Sequence, residues 1–267
     1  MTTIEALITA ARRYCKDNFN YWANRYAKER TGSNYPVYSY SDGDYDLFPR
    51  YNVLDAILAE VEKLVGIQDT DLAACRQQLI EIGLTAQSAL TTGKNNQIEK
   101  AAILQEREKF VKYISDVTLG ELGLIDPLPH RRRLHMNEQA IVASQLHNYW
   151  NYDGNYWDPI EPKCPSEILF IAAAYLTEDD HNFIRTMAVS DNMYLLEVTE
   201  EGAYTEIAPG EINLASYETF YCPEDYSWCI YISHEATITF AGTALLSSLR
   251  KYFASRIDLF GQWPSYS

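Results

Sequence analysis

The stretch Tyr226–Gly242, YSWCIYISHEATITFAG, constrains the fold most. Trp228, Ile230 and Ile232 alternate with Cys229 and Tyr231, and Ile238 and Phe240 alternate with Thr237 and Thr239. Period two in β-branched and aromatic residues predicts a hairpin of two half-buried strands around a polar centre, Ser233-His234-Glu235. Trp228 and Ile230 share a strand face with Ile232, so both are expected to be buried. The rest of the C-terminal half reads as cover for this hairpin.

The N-terminal half has the other period. Residues 3–30 place Ile4, Leu7, Ile8, Ala11, Cys15, Trp22 and Tyr26 at helical spacing, with Thr2 and Glu5 as a capping box and Gly32 near the end. Residues 33–49 read as a Tyr- and Asp-rich loop. Further helices are predicted over 50–65, 70–92 and 96–116, the last capped by Asn96. Four amphipathic helices on short links bury their stripes as an antiparallel bundle. Two glycines and two prolines in 119–130, LGELGLIDPLPH, mark the domain boundary, because a residue before proline is pushed out of helical conformation. The division is 1–125, a helical bundle domain, and 126–267, an acidic α+β domain.

Beyond the boundary a helix is expected over about 138–150, with Asn137 as its cap. Residues 167–177 fit a buried helix or a buried strand equally. Residues 181–189 lean helical, 193–199 and 203–207 form a hairpin turning at 200–202, 215–222 form another strand, and 243–257 close the domain as a helix. The fold class is therefore α+β, a helical bundle followed by a mainly antiparallel sheet.

Charge is distributed unevenly. The net charge is -15, yet between Leu134 and Leu249 there are 18 acids and only two bases, Lys163 and Arg185. Such a field repels nucleic acid and anionic membrane and attracts basic proteins, although acidity also serves solubility. No apolar run reaches the roughly 18 residues of a membrane span. The first residues lack a signal-peptide core, so a cytoplasmic location is expected. Five scattered cysteines without a CxxC pair suit that setting as reduced, buried thiols.

Candidate chemistry is sparse. His234 offers an acid–base group, with Glu235 beside it. Adjacent strand residues point to opposite faces, so Ser233, His234 and Glu235 cannot form a triad among themselves. The competing reading has Ser233 and His234 tying down a turn. Glu178-Asp179-Asp180-His181 supplies four neighbouring ligand atoms that diverge, so it reads as a solvated helix start. Asp42, Asp44 and Asp46 alternate like the opening of a calcium loop, but Leu47 and Val53 stand where that loop needs glycine and glutamate; a solvated turn is favoured. Arg131, Arg132 and Arg133 can clamp an anion or pair with their own domain's acids, and the charge count favours the latter. Trp150, Tyr152, Tyr156 and Trp157 serve equally as interface anchors or as core seals. The common nucleotide, hydrolase, zinc and kinase signatures are missing, so neither cofactor nor metal is expected.

Arg132, Arg133, Trp150, Trp157, then Trp228, Ile230, Tyr231, Ser233, His234, Glu235, Thr237, Ile238, Thr239 and Gly242 together resemble an uncharacterised bacterial family. It is similar to immunity-type proteins, which neutralise toxins of neighbouring cells. The likeness covers the C-terminal half only. It implies a protein-binding module, an inhibitor of a basic toxin or of another cationic protein; the candidate contact residues in this sequence are Trp157, Trp228, Tyr231, Arg131 and Arg133. An enzyme would instead need a pocket centred on His234 with Glu235. A third reading is a regulatory scaffold in which the bundle docks.

Overall fold

A computed structural model describes the chain except residues 33–38, 68–70, 95, 155–156, 159–165, 190–192, 201 and 263–267. Cys164, Tyr156 and Trp263 lie outside the described residues. The chain divides into two compact units, Met1–Leu128 and Pro129–Ser267. The first is helical and the second carries an antiparallel sheet, which makes the protein α+β. No helix among the described residues is long and apolar enough to cross a membrane.

The first unit holds α1 (Thr3–Glu29), α2 (Asp42–Glu62), α3 (Leu72–Thr85), α4 (Gln97–Asp116) and the single turn α5 (Leu119–Leu122). Leu7, Ala11 and Cys15 of α1 meet Val53 and Ile57 of α2, Leu79 of α3 and Phe110 and Ile114 of α4 in one core. Thr2 and Glu5 form the expected capping box.

α2 starts eight residues earlier than the periodicity predicted. Ser41 and Asp44 make a capping box, and the Asp44 carboxylate also accepts the Thr31 and Gly32 amides at 3.2 and 3.0 Å. Four such bonds hold Asp44, buried at 1% exposure, below the usual carboxylate range. Asp42 and Asp44 thus sit in the first turn of a helix and Asp46 just after it, not in a loop. Asp46 pairs with Arg50 at 2.6 Å. Pro49 lies inside the helix, against the rule that places proline at a boundary.

α3 ends at Thr85, seven residues short of expectation, and Leu90 is 81% exposed. The cause lies in α4. Buried Arg107 donates to the carbonyls of Gly83 (2.8 Å), in the last turn of α3, and of Ala86, its C-cap. Arg76 of α3 reciprocates, donating to the Ile114, Ser115 and Val117 carbonyls at the end of α4. Each antiparallel partner thus satisfies carbonyls that a helix end leaves orphaned. Burial away from any matching carboxylate lowers the Arg107 pKa.

The second unit builds β1 (Arg131–Arg133), α6 (Met136–Trp150), β2 (Ile168–Ala172), α7 (Glu178–Val189), β3 (Leu195–Thr199), β4 (Tyr204–Ile207), β5 (Thr219–Pro223), β6 (Cys229–Ile232), β7 (Thr237–Ala241) and α8 (Thr243–Tyr252). The sheet order is β1-β4-β3-β5-β6-β7-β2, every neighbouring pair antiparallel. The ambiguous segment 167–177 is therefore an edge strand beside β7, followed by a short 3-10 turn. The triple arginine, read as a charge cluster, is the opposite edge strand.

Helices cover both faces of the sheet. Ile184 of α7 and Leu245, Leu246 and Leu249 of α8 pack on Leu195, Tyr221, Ile230, Ile238 and Phe240. On the other face, Val142, Leu146 and Trp150 of α6 pack with Tyr152 and Trp157 on Leu196, Phe220, Cys222, Cys229 and Tyr231. β5, β6 and β7 are buried along their whole length, not half-buried as alternation predicted. Cys229 and Tyr231 read as the outer face, but they face α6. Trp228 falls one residue before β6 and is only partly buried. Gly242 adopts φ +106°, and a Cβ there would lie 2.6 Å from the Ser227 carbonyl oxygen, so only glycine fits this handover to α8.

Gly83 supplies the sharpest test of the bundle. In an exposed helix, Gly→Ala stabilises by about 1 kcal/mol. A Cβ on Gly83 would sit 2.6 Å from Phe110 Cδ1. Gly83→Ala should therefore reverse the sign and destabilise by about 1–3 kcal/mol, as overpacking does. Urea unfolding followed by circular dichroism measures it, and a stabilised variant would refute the close helix approach.

Candidate functional site

The groups with most chemical potential gather where β5 begins and β6 turns into β7. Residues 233–236 make that turn. The Glu235 amide donates to Ser233 Oγ at 3.1 Å, the Ala236 amide to the Ser233 carbonyl at 3.2 Å, and Ala236 takes φ +54°. Ser233 thus ties down the turn, as one of the two sequence readings expected.

His234 is held by a residue the sequence did not single out. Glu218, 2% exposed, adopts φ +41°, a left-handed conformation uncommon for a non-glycine residue. Its carboxylate accepts three bonds. One comes from the His234 amide at 2.8 Å, one from His234 Nδ1, and one from the Tyr231 hydroxyl. Its backbone carbonyl accepts the Glu200 amide at 3.1 Å. The Tyr231 oxygen in turn accepts the Trp157 amide at 3.1 Å. The path therefore runs from the core through Tyr231 and Glu218 to His234, whose side chain is 47% exposed. Its Nε2 lies 3.3 Å from Glu235 Oε1.

Electrostatics follow from this geometry. The Glu218 bond, reinforced by Glu235 and Glu200, raises the His234 pKa above 6.5. Burial beside Glu218 keeps the Tyr231 phenol protonated far above its ordinary range. An imidazole oriented by a buried carboxylate, with its second nitrogen outward, can exchange a proton with a bound group or carry a positive charge at the surface.

The other expected site residues fall elsewhere. Trp157 and Tyr231 are buried at 4% and 2% exposure, so they seal the core and present no contact surface. Trp157 donates Nε1 to the Trp150 carbonyl at 2.8 Å and meets Phe220 edge-on at 5.5 Å. Arg131 donates to buried Glu197. Arg132 grips Glu206, its cross-strand neighbour, with two bonds of 2.6 and 2.7 Å, and reaches Glu138 at the start of α6 at 2.8 Å. The arginines are therefore tied to acids of their own unit, except that Arg133 makes no ion pair among the described residues. Asp180, read as a solvated acid, is fully buried. It caps α7 through Thr177 and takes two bonds from Arg256, which hold its pKa well below the carboxylate range. Among the described residues no group of three or more His, Cys, Asp or Glu is placed to hold a metal ion.

Comparison with protein-family models, with curated proteins and with solved structures finds no match for this chain.

Two tests follow from the packing and the turn. Trp157→Ala should cost about 3–5 kcal/mol, the range for a buried aromatic, and Trp228→Ala clearly less. Equal costs in urea unfolding would contradict the burial difference. Glu218→Gln should bring the His234 pKa down toward 6.5. Because the folded value is raised, the pair's stabilisation is complete below about 6.5 and fades as pH rises through the folded value. The stability gap between wild type and His234→Gln should therefore narrow from pH 6 to pH 9. NMR titration and thermal melts measure both, and a gap that widens would refute the pairing.

Proposed function

We propose that the second unit is a protein-binding module for a cationic partner, acting in the cytoplasm as an immunity-type inhibitor of a basic toxin. The observation that carries this reading is how its charges are spent. Five of its eight lysines and arginines are engaged by carboxylates of the same unit: Arg131 by Glu197, Arg132 by Glu206, Arg185 by Glu178, Arg250 by Glu167 and Arg256 by Asp180. Asp179, Glu200, Glu211, Glu224, Asp225 and Asp258 are exposed and carry no ion pair among the described residues. Internal pairing thus consumes the cations and leaves acids facing solvent. Such a surface steers basic proteins inward and turns nucleic acid away. The buried thiols Cys15, Cys75 and Cys222 suit a reducing compartment.

A second reading rests on the His234–Glu218 pair. A buried carboxylate behind an outward imidazole is also how a general acid–base is oriented. His234→Ala separates the readings, because it abolishes turnover in an enzyme but does not abolish partner binding in a binding module.

The binding reading is tested by capturing the partner from the native host and following association between 50 and 500 mM salt. Screening shortens from about 10 Å at 0.1 M to about 3 Å at 1 M, so the association rate should fall steeply while dissociation changes less. A partner that proves acidic, or an association rate indifferent to salt, would reduce the acidity to a solubility feature.

A further inference from the structure

We infer that the β6–β7 turn is the point where one lysine or arginine side chain of the cationic partner docks, between the Tyr217 ring and the carboxylates of Glu235 and Glu200, with His234 as its proton-controlled neighbour. The inference rests on the binding reading above and locates it.

Four observations converge there. Tyr217 is 64% exposed, although the strand it precedes is wholly buried. Its ring centroid stands 6.1 Å from that of His234, tilted by 47°. An exposed aromatic face beside carboxylates is what a cationic side chain recognises, the ring taking the apolar stem and part of the charge. Glu235 borders His234 from the turn, and Glu200 is fastened to Glu218 from the β3–β4 turn, so acids approach from two elements. Close to them, Tyr152 is 1% exposed and stacked 4.6 Å from Phe220, and its hydroxyl has no hydrogen-bond partner among the described residues. The charged groups acting on that hydroxyl are Glu218 and Glu200, with Tyr204 beside them. The hydroxyl is thus a buried polar group beside the same carboxylates, without a partner among the described residues.

His234 gives the site its condition. Glu218 fixes the ring, and Glu218, Glu235, Glu200, Tyr217 and Tyr231 are the titratable groups facing it. When protonated, the imidazolium neutralises the local acids and repels an incoming cation. When neutral with the proton on Nδ1, it still donates to Glu218 and keeps the turn in place, while the surface acids recover their full field. By linkage, a docked cation must lower the His234 pKa, and docking must strengthen as pH rises through it.

The test uses the full chain, isotope-labelled for NMR, with decalysine and decaarginine as probes at 50 mM salt. Shifts should concentrate at Tyr217, Glu200, His234 and Glu235. Affinity should rise from pH 6 to pH 8 in wild type and stay flat in His234→Gln. Tyr217→Ala should weaken binding by roughly two- to fivefold, the worth of an exposed cation–π contact. Glu224→Gln with Asp225→Asn, exposed acids of the β5–β6 connection, should weaken it less. Shifts spread evenly over all exposed acids, or equal losses in the two variants, would overturn this site and leave the binding reading standing. If neither peptide binds, the cation-binding basis of both falls. The preferred peptide tells whether the docked side chain is lysine or arginine.

Discussion

Covering both faces of β5, β6 and β7 removes water from every group between the layers, and the rest of the second unit answers that constraint. A polar group there must find a partner inside the protein or cost its full desolvation. Glu218 meets the requirement with three donors from the turn and from Tyr231. Glu197 in the middle of β3 receives Arg131 from the edge strand. Asp180 receives Arg256 across 76 residues of sequence. Each buried acid fixes two elements in relation to one another, because a carboxylate that loses its cation is left uncompensated. Among the described residues, the Tyr152 hydroxyl and Trp150 Nε1 stand out as buried polar atoms without such a partner.

The helical unit solves the same problem with arginines. Arg107 and Arg76 act on the carbonyl ends of each other's helices, so guanidinium groups replace the water that would otherwise cap them. Arg50 joins Glu106 and Asp46 while lying 4.6 Å from the Trp22 ring centroid, and Arg12 reaches Glu62. Such contacts specify which helix meets which, and at what register, more than they add net stability. Shape completes the specification where Gly83 lets Phe110 approach.

Spending cations on buried carboxylates also has a consequence at the surface. Every arginine drawn to Glu197, Glu206 or Asp180 is withdrawn from solvent-facing acids. The electrostatic character of the exterior is thus set partly by the polar demands of the interior. The β6–β7 turn concentrates both effects, since one buried carboxylate orients the exposed imidazole and raises its proton affinity.

The sequence by itself determined the division into a helical part and a sheet part, because the hydrophobic period changes from 3.6 to 2 across a Gly/Pro-rich link. It also determined the hairpin at Tyr226–Gly242, the helix start at Thr2, and the tying role of Ser233, all local patterns of adjacent residues. Tertiary structure alone decided the rest. Alternation could not show that α6 would cover the face carrying Cys229 and Tyr231, since both residue types tolerate either side. The Ser41–Asp44 cap and the bonds from Thr31 and Gly32 start α2 ahead of Pro49, although proline ordinarily stands at a helix boundary. Glu218 was invisible because its partners Tyr231 and His234 lie 13 and 16 residues away, and its left-handed backbone has no signature in a side chain that elsewhere favours helices. The triple arginine became a strand because Glu206 and Glu197, more than sixty residues on, offered the charges that only the folded sheet brings opposite it.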